Sequence, residues 1–255
     1  MITKILSQDI DKHSMPPQHT VFPITGEKQD YKNVVVDKPW GYEYLMFENE
    51  HVAIWVLFLK ERAKTSMHCH PKKLTSLIVL EGEVRTSSLG EKFDLKKLDG
   101  IIIDKGVFHS TSTDFGVGAF VMEIETPPEK ADLVRINDQY GRENKGYESG
   151  PSISRDLEKY EHFGFHEPID VERKIVEKVI KKSKVVLHTQ EEWETLLHEI
   201  EVKDFCVLSF LDTFLVDSKG EIVVGVGEIF ERDWFLKNYH DLKPGVGKFT
   251  VLTIY

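Results

Sequence analysis

The chain has 255 residues, which is long enough for one large β domain or two small ones to bury a core without disulfides. A formal net charge of −10 argues against nucleic acid and anionic membranes as partners, because both attract basic surfaces. The sequence has two cysteines, no apolar run as long as a membrane helix, and no signal-peptide pattern at its start. We therefore expect a reduced, cytoplasmic protein without a disulfide framework.

Residues 1–148 divide into a polar arm and a β-rich region. Residues 1–35 are polar and contain Pro16, Pro17 and Pro23, as expected for an N-terminal arm. Residues 36–148 contain closely spaced runs rich in β-branched and aromatic residues, such as HVAIWVLFL, LTSLIVLEGEV, GIIIDKG and GAFVMEIE. Short strands at this spacing, with few helical stretches, predict an all-β domain built as a sandwich or barrel.

A polar stretch, KGYESGPSISRD, marks a predicted boundary near residue 148. Residues 149–185 are predicted to form a linker and a helix, because EPIDVERKIVEKVIKKS carries apolar residues at helical spacing. These apolar residues are Val171, Ile175, Val176, Val179 and Ile180.

Residues 186–255 are predicted to form a C-terminal α+β segment. Residues 189–192 (TQEE) match a capping box, and Trp193, Leu196, Leu197 and Ile200 share one face of the helix that follows. Strand-like runs return in FCVLSFLDTFLVD, EIVVGVGEIF and KFTVLTIY, and their order loosely repeats that of the β-rich region. The segment is therefore either a degenerate copy of the first domain, with its missing strands supplied by the N-terminal arm, or an unrelated appendage.

Three histidines carry the strongest chemical signal in the sequence. In SMHCH, at residues 66–70, His68 and His70 point to the same face if the segment is a strand. His109 follows a run of three isoleucines and a turn at Gly106. Two imidazoles on one face, with a third from a neighbouring strand, can reach one divalent ion. Unrelated strand histidines are the simpler interpretation, but the spacing favours a metal site formed by His68, His70 and His109.

This spacing resembles the two signature motifs of the cupin superfamily. The HxH pair is followed by Gly82, then by a strand and a GxxH sequence that ends at His109. The chain has Thr75 where the first motif normally carries a metal-binding glutamate, and Asp104 where the second motif usually has proline. The resemblance implies a cupin jelly-roll barrel over residues 36–148, followed by a helical connector and a possible degenerate second cupin.

A narrower resemblance points to one branch of the cupins. The segment DKPWGYE at 37–43 is similar to the opening of the cupin domain in mannose-6-phosphate isomerases of the type fused to mannose-1-phosphate guanylyltransferase. VMEIE at 121–125 and DLVRINDQYGR at 132–142 resemble the closing segment of that domain. The resemblance implies a metal-dependent cupin that acts on a phosphorylated or nucleotide-linked sugar in polysaccharide biosynthesis, and the reaction it implies is aldose–ketose isomerisation of a phosphorylated hexose. It also implies a homodimer, because cupin barrels commonly pair.

Further site residues follow from these motifs. Glu123, in the strand-like run near the end of the barrel, is the candidate catalytic base or fourth metal ligand, and a structural role is the alternative. The resemblance implies that Arg142 holds the substrate phosphate, since its planar guanidinium suits bidentate phosphate binding, and a surface salt bridge is the alternative. Lys72, next to the HxH pair, is a second candidate for contacting an anionic substrate, and a solvated turn is the simpler interpretation. The expected cofactor is a divalent metal ion, zinc first, with manganese, iron, nickel or cobalt as alternatives.

Two other functions remain open at this point. The missing carboxylate at Thr75 leaves three neutral ligands, which also suits an iron dioxygenase whose open coordination positions bind substrate and oxygen. The other alternative is a non-catalytic sugar-binding or accessory cupin that keeps its metal as a structural element. The identity of the metal separates the two enzymes, because zinc is redox-inert.

Overall fold

A computed structural model describes residues 1–6, 30–142, 152–162, 175–245 and 249–255 of the chain. The strands described up to residue 154 are β1 (Ile2–Ile5), β2 (Val35–Lys38), β3 (Gly41–Glu48), β4 (Ala53–Leu59), β5 (Met67–Cys69), β6 (Leu74–Glu81), β7 (Glu83–Ser88), β8 (Lys92–Lys96), β9 (Gly100–Ile103), β10 (His109–Ser112), β11 (Ala119–Thr126), β12 (Val134–Asn137) and β13 (Ile153–Ser154). They form an eight-stranded sheet in the order β1-β9-β6-β11-β4-β3-β2-β13 and a five-stranded sheet in the order β12-β5-β10-β7-β8.

The two sheets face each other across an apolar core. Side chains alternate between the two faces of β11. Val121 belongs to the core between the sheets, while Met122 and Ile124 belong to the core on the opposite face. From the five-stranded sheet, Val84 and Leu95 pack into the same interior as Val121. The arrangement confirms the predicted all-β jelly-roll fold, and it places the interior face of β11 opposite the strands that carry the predicted metal ligands.

A second β region follows along the chain. Its described elements are β14 (Ile175–Ile180), β15 (Ser183–Gln190), α1 (Trp193–Val202), β16 (Val207–Phe210), β17 (Leu215–Val216), β18 (Ile222–Val224), β19 (Ile229–Glu231), α2 (Arg232–Asn238), β20 (Lys243–Pro244) and β21 (Phe249–Ile254). They form a five-stranded sheet, β14-β15-β21-β16-β19, and a three-stranded sheet, β18-β17-β20. Single turns of 3-10 helix lie at Leu157–Lys159 and Tyr239–Asp241. None of the described helices combines the length and hydropathy needed to cross a bilayer.

The second region covers the outer face of the eight-stranded sheet. Leu187 and Leu252 share one apolar cluster with Ile78 and Met122. The Ser76 hydroxyl also donates a buried hydrogen bond of 2.9 Å to the carbonyl oxygen of Gly227. The eight-stranded sheet is therefore buried on both faces, which explains why its strands are almost continuously apolar instead of alternating with polar residues.

The predicted helix before residue 185 is wrong wherever the chain is described. Ile175–Ile180 is a strand that pairs with β15 from Ile175 opposite His188 to Ile180 opposite Ser183. The apolar spacing fits either a helix or a strand, but the segment is rich in β-branched residues and pairing with β15 decides the outcome. Lys181, with a φ of 50°, begins the turn that joins the two strands. Val171 lies outside the described residues.

The helix predicted after residue 192 is confirmed, but its capping box is not. In α1, Leu196 and Ile200 are buried, and Trp193 and Leu197 pack against the same cluster. Thr189 and Gln190 belong to β15, so they are unavailable to cap a helix, and the N-cap residue Glu192 makes no side-chain capping bond. The prediction failed because the preceding strand continues through Gln190.

The N-terminal arm contributes to the first domain. Ile2–Ile5 pairs in parallel with β9, from Ile2 opposite Gly100 to Ile5 opposite Ile103. The suggestion that the arm supplies strands to a second barrel is therefore wrong for these residues, while residues 7–29 lie outside the described part. The boundaries predicted near residues 35, 148 and 185, and the relation of the C-terminal segment to a cupin, remain predictions.

Gly41, in the PWGY segment, lies where β3 and β4 approach too closely for a side chain. A Cβ atom at this position would lie 1.8 Å from the carbonyl oxygen of Phe58, and the φ of Gly41 is 152°. We expect Gly41→Ala to lower the free energy of unfolding by at least about 2 kcal/mol, because backbone atoms must move apart. Gly90→Ala is the matched control, since a Cβ there meets nothing within 4 Å.

Urea unfolding followed by circular dichroism measures both glycine variants. The control is expected to stay within about 0.5 kcal/mol of the unmodified protein. Equal unfolding midpoints for Gly41→Ala and Gly90→Ala would contradict the close approach at Gly41.

Candidate metal centre and its pocket

The fold brings the three predicted ligands together. His68 on β5 lies opposite His109, the first residue of β10, and His70 follows directly after β5. Their candidate ligand atoms all lie within 4.8 Å of one another. The pair at 68 and 70 shares one face, as the period of two predicts, and antiparallel pairing of β5 with β10 adds the third imidazole. The three-histidine group predicted from the sequence is therefore present.

Each histidine uses its Nδ1 atom to donate a hydrogen bond to a backbone carbonyl oxygen. The distances are 2.8 Å from His68 to Ser66, 2.6 Å from His70 to Asp132, and 3.0 Å from His109 to Val107. A carbonyl oxygen can only accept, so Nδ1 carries the proton and Nε2 keeps its lone pair. Among the described residues, the buried Nε2 atom of His70 has no hydrogen-bond partner. The donor set therefore fits a divalent ion.

Burial keeps the three imidazoles neutral. It lowers the pKa of His109 to about 4 and holds the pKa values of His68 and His70 well below their usual range, and the charge of Lys73 lowers all three further. A neutral imidazole is the form that binds a metal. The protein therefore holds the ligands in their binding form across the neutral pH range.

A carboxylate from another strand lies beside the histidines. Glu123 on β11 faces the interior, and its Oε1 atom is 3.9 Å from the Nε2 atom of His70. Burial raises the pKa of Glu123 to about 7, and the charge of Lys130 opposes that rise. Thr75, where the cupin motif carries glutamate, is buried on β6 opposite Glu125. Glu123 is therefore a carboxylate close enough to act with the histidines.

A chain of alternating charges lies next to Glu123, and we call it the buried ionic chain. It runs from Lys38 to Glu43, Lys130, Glu125 and Lys73, with successive N–O distances of 3.5, 3.1, 3.2 and 2.9 Å. Buried charges of this kind persist only when each has a partner of opposite sign. The three lysines and two glutamates of the buried ionic chain have a net charge of +1, which lies next to the carboxylate of Glu123.

The buried ionic chain was not predicted from the sequence, although strand alternation indicates part of it. Glu125 is two residues from Glu123 on β11, so strand alternation alone places both carboxylates inside. Strand alternation likewise places Glu43 on β3 and Lys38 at the end of β2 on the interior face. Lys130 lies in the loop between β11 and β12, where no periodicity applies. Its ammonium also lies 3.6 Å from the ring centre of Trp55, a cation–π contact.

The two predicted substrate-binding cations occupy different positions. Arg142 lines the pocket, but its guanidinium binds Asp138 through two hydrogen bonds, Nε to Oδ2 at 3.0 Å and Nη2 to Oδ1 at 2.7 Å. Lys72 is exposed, pairs with Glu129 at 3.2 Å, and is not among the residues that line the pocket. The structure therefore brings Arg142 to the site and leaves Lys72 outside it.

Arg135 is a further cation in the pocket that was not predicted from the sequence. It lies on β12 opposite His68, and its Nε atom donates a hydrogen bond of 3.3 Å to the hydroxyl of Ser66. Only the pairing of β12 with β5 places it there, because the two strands are far apart in sequence.

No family model matches the chain, and no curated protein matches it. Solved structures similar to part of the chain include KdgF from a Halomonas species, with 16% identity and a TM-score of 0.36 over 37% of this chain and 86% of that one. A cupin-like protein from Thermotoga maritima has 19% identity and a TM-score of 0.36 over 40% of this chain and 80% of that one. A cupin-superfamily sugar phosphate isomerase from Silicibacter pomeroyi has 14% identity and a TM-score of 0.32, covering 34% and 58%.

Proposed function

We propose that the chain is a metal-dependent cupin that isomerises a phosphorylated sugar between its aldose and ketose forms. The observation that supports this most is the convergence of three neutral imidazoles on one point, with the carboxylate of Glu123 beside them. His68, His70 and His109 would hold a divalent ion, and zinc is the proposed metal because three imidazoles suit its coordination. When bound, the ion supplies a Lewis acid that polarises a substrate carbonyl.

Glu123 is the proposed base. Isomerisation moves a proton between two adjacent carbons, and a carboxylate can accept it from one carbon and return it to the other. The interior position of Glu123 keeps the transferred proton away from bulk water, because the side chain is only 9% exposed. The neighbouring lysines of the buried ionic chain stabilise negative charge that develops on the substrate.

The charges around the pocket favour an anionic substrate. Its wall contains four cationic side chains, Lys38, Lys130, Arg135 and Arg142, and three carboxylates, Glu43, Glu123 and Glu125. A divalent ion adds two positive charges, so the pocket attracts a phosphate despite the acidic net charge of the chain. Arg135 is the proposed main protein source of this attraction, since guanidinium groups suit phosphate. Arg142 is the proposed second phosphate contact, although the carboxylate of Asp138 already balances its charge. Lys72 is no longer included, because it lies outside the pocket wall.

The test is a reaction assay on metal-loaded protein. We would incubate separate zinc, manganese and iron forms with mannose 6-phosphate in deuterium oxide and follow the sugar by nuclear magnetic resonance. Conversion to the ketose, with deuterium at the carbon next to the carbonyl, supports the isomerase. Oxygen consumption by the iron form alone favours the dioxygenase. Binding of sugar phosphates without turnover by any form favours the accessory cupin.

The homodimer and the cytoplasmic location belong to the same proposal. Pairing through a sheet would have to use a surface other than the face of the eight-stranded sheet that the second β region covers. Light scattering on the purified protein tests the dimer, and a monomer mass would rule it out.

A further inference from the structure

The three histidines differ in how their rings are held. His68 and His109 donate to carbonyl oxygens that lie two residues earlier in the chain, so each ring is held by the segment that leads into its own strand. His70 donates instead to the carbonyl oxygen of Asp132, which lies 62 residues further along. His70 is therefore the ligand whose orientation depends on a tertiary contact.

Asp132 holds the chain around His70 from two directions. Its carbonyl oxygen accepts the Nδ1 proton of the His70 ring at 2.6 Å. Its carboxylate oxygen Oδ2 accepts the backbone N–H groups of Lys72 and Lys73 at 2.7 and 3.0 Å, in the turn that follows His70. Asp132 itself is only 6% exposed. The carboxylate thus fixes the backbone after His70, and the carbonyl fixes the ring of the same residue.

We propose that Asp132 is a positioning residue for the metal ligand His70. The hydrogen bonds from the backbone of Lys72 and Lys73 to the Asp132 carboxylate keep the carbonyl oxygen of Asp132 within reach of the His70 ring. The carbonyl oxygen then holds the proton on Nδ1 of His70 and directs its Nε2 atom towards the other two histidines. Partners of this kind, which orient a ligand without touching the metal, contribute to metal affinity because they reduce the freedom the ligand loses on binding. The inference rests on the metal site of the proposed function and not on the isomerase reaction. Absence of zinc binding by the unmodified protein would refute that site, whereas unchanged binding by Asp132→Ala would refute the inference alone.

The same loop links the metal site to the pocket wall. Residues 127–133 carry both Asp132 and Lys130, and Lys130 bridges Glu43 and Glu125 in the buried ionic chain. Loss of the Asp132 carboxylate therefore frees a segment that orients one ligand and contributes Lys130 to the charged wall. A second acidic residue in this loop, Glu129, lies outside both sets, since it pairs with the exposed side chain of Lys72.

The test compares three variants of the full chain, Asp132→Ala, Asp132→Asn and Glu129→Ala. Zinc affinity is measured on metal-free protein by competition with a chromophoric chelator. Asp132→Ala is expected to weaken binding about 10- to 100-fold, the usual effect of removing a partner that orients a ligand. Asp132→Asn should weaken it less, because the amide oxygen still accepts hydrogen bonds. Glu129→Ala should stay within about twofold of the unmodified protein.

Two further measurements separate positioning from general stability. The visible spectrum of the cobalt(II) form reports ligand geometry, and it should change in Asp132→Ala and remain unchanged in Glu129→Ala. Thermal unfolding of the metal-free variants reports folding by itself. The proposal is overturned if Asp132→Ala binds zinc as tightly as the unmodified protein with the same cobalt spectrum. Equal weakening in Glu129→Ala would also overturn it. Should Asp132→Ala fail to fold, Asp132→Asn supplies the same comparison.

Discussion

His70→Ala is expected to remove stoichiometric metal from the protein. The ring supplies an Nε2 atom that is buried and, among the described residues, without a hydrogen-bond partner, so its loss leaves two imidazoles where three converge. Loss of a residue that only orients a ligand typically weakens metal binding about 10- to 100-fold. Removing the ligand itself should weaken binding further. Plasma mass spectrometry on protein purified without chelator measures the metal retained per chain.

His51→Ala is the matched control for this experiment. Its imidazole is 44% exposed and lies beside Glu50 at the surface, so its removal should leave the metal content unchanged. Retention of metal by His70→Ala, at the level of the control, would contradict the three-histidine site. Absence of metal from the unmodified protein even after reconstitution would exclude both metal-dependent enzymes and leave a cupin that binds a sugar without a metal.

Glu123→Gln is expected to abolish most of the proposed isomerase activity. The amide has the shape of the carboxylate but cannot accept a proton from carbon at neutral pH, and loss of a general base typically lowers kcat about 10²- to 10⁴-fold. Rates are compared with metal content measured on the same samples. Loss of activity with metal retained identifies Glu123 as the base, whereas loss of both identifies it as the fourth ligand.

Glu50→Gln is the control for the carboxylate substitution. Its side chain is 86% exposed and does not line the pocket, so both activity and metal content should be unchanged. Full activity in Glu123→Gln would exclude Glu123 from the reaction and require another base.

Local patterns in the sequence were sufficient to predict the β sandwich and the group of three histidines. Side chains alternate across a strand with a period of two, so His68 and His70 must share a face wherever that segment is extended. The same rule makes Glu123 and Glu125 neighbours inside the sandwich. It failed at Ile175–Ile180, where the apolar positions suit a helix as well as a strand, and at Thr189, where a strand continues through the supposed cap.

Contacts between distant segments were decided by the tertiary structure alone. The sequence by itself determined which residues could bind a metal, because ligand chemistry and strand periodicity are local properties. Only packing brought Asp132 to His70, aligned Arg135 with His68, and placed Lys130 between two glutamates. The contact of Arg135 depends on the pairing of β12 with β5, whereas the contacts of Asp132 and Lys130 depend on the position of the loop between β11 and β12, which has no periodicity. Its position follows from burial and charge pairing summed over the whole fold, which no local pattern encodes.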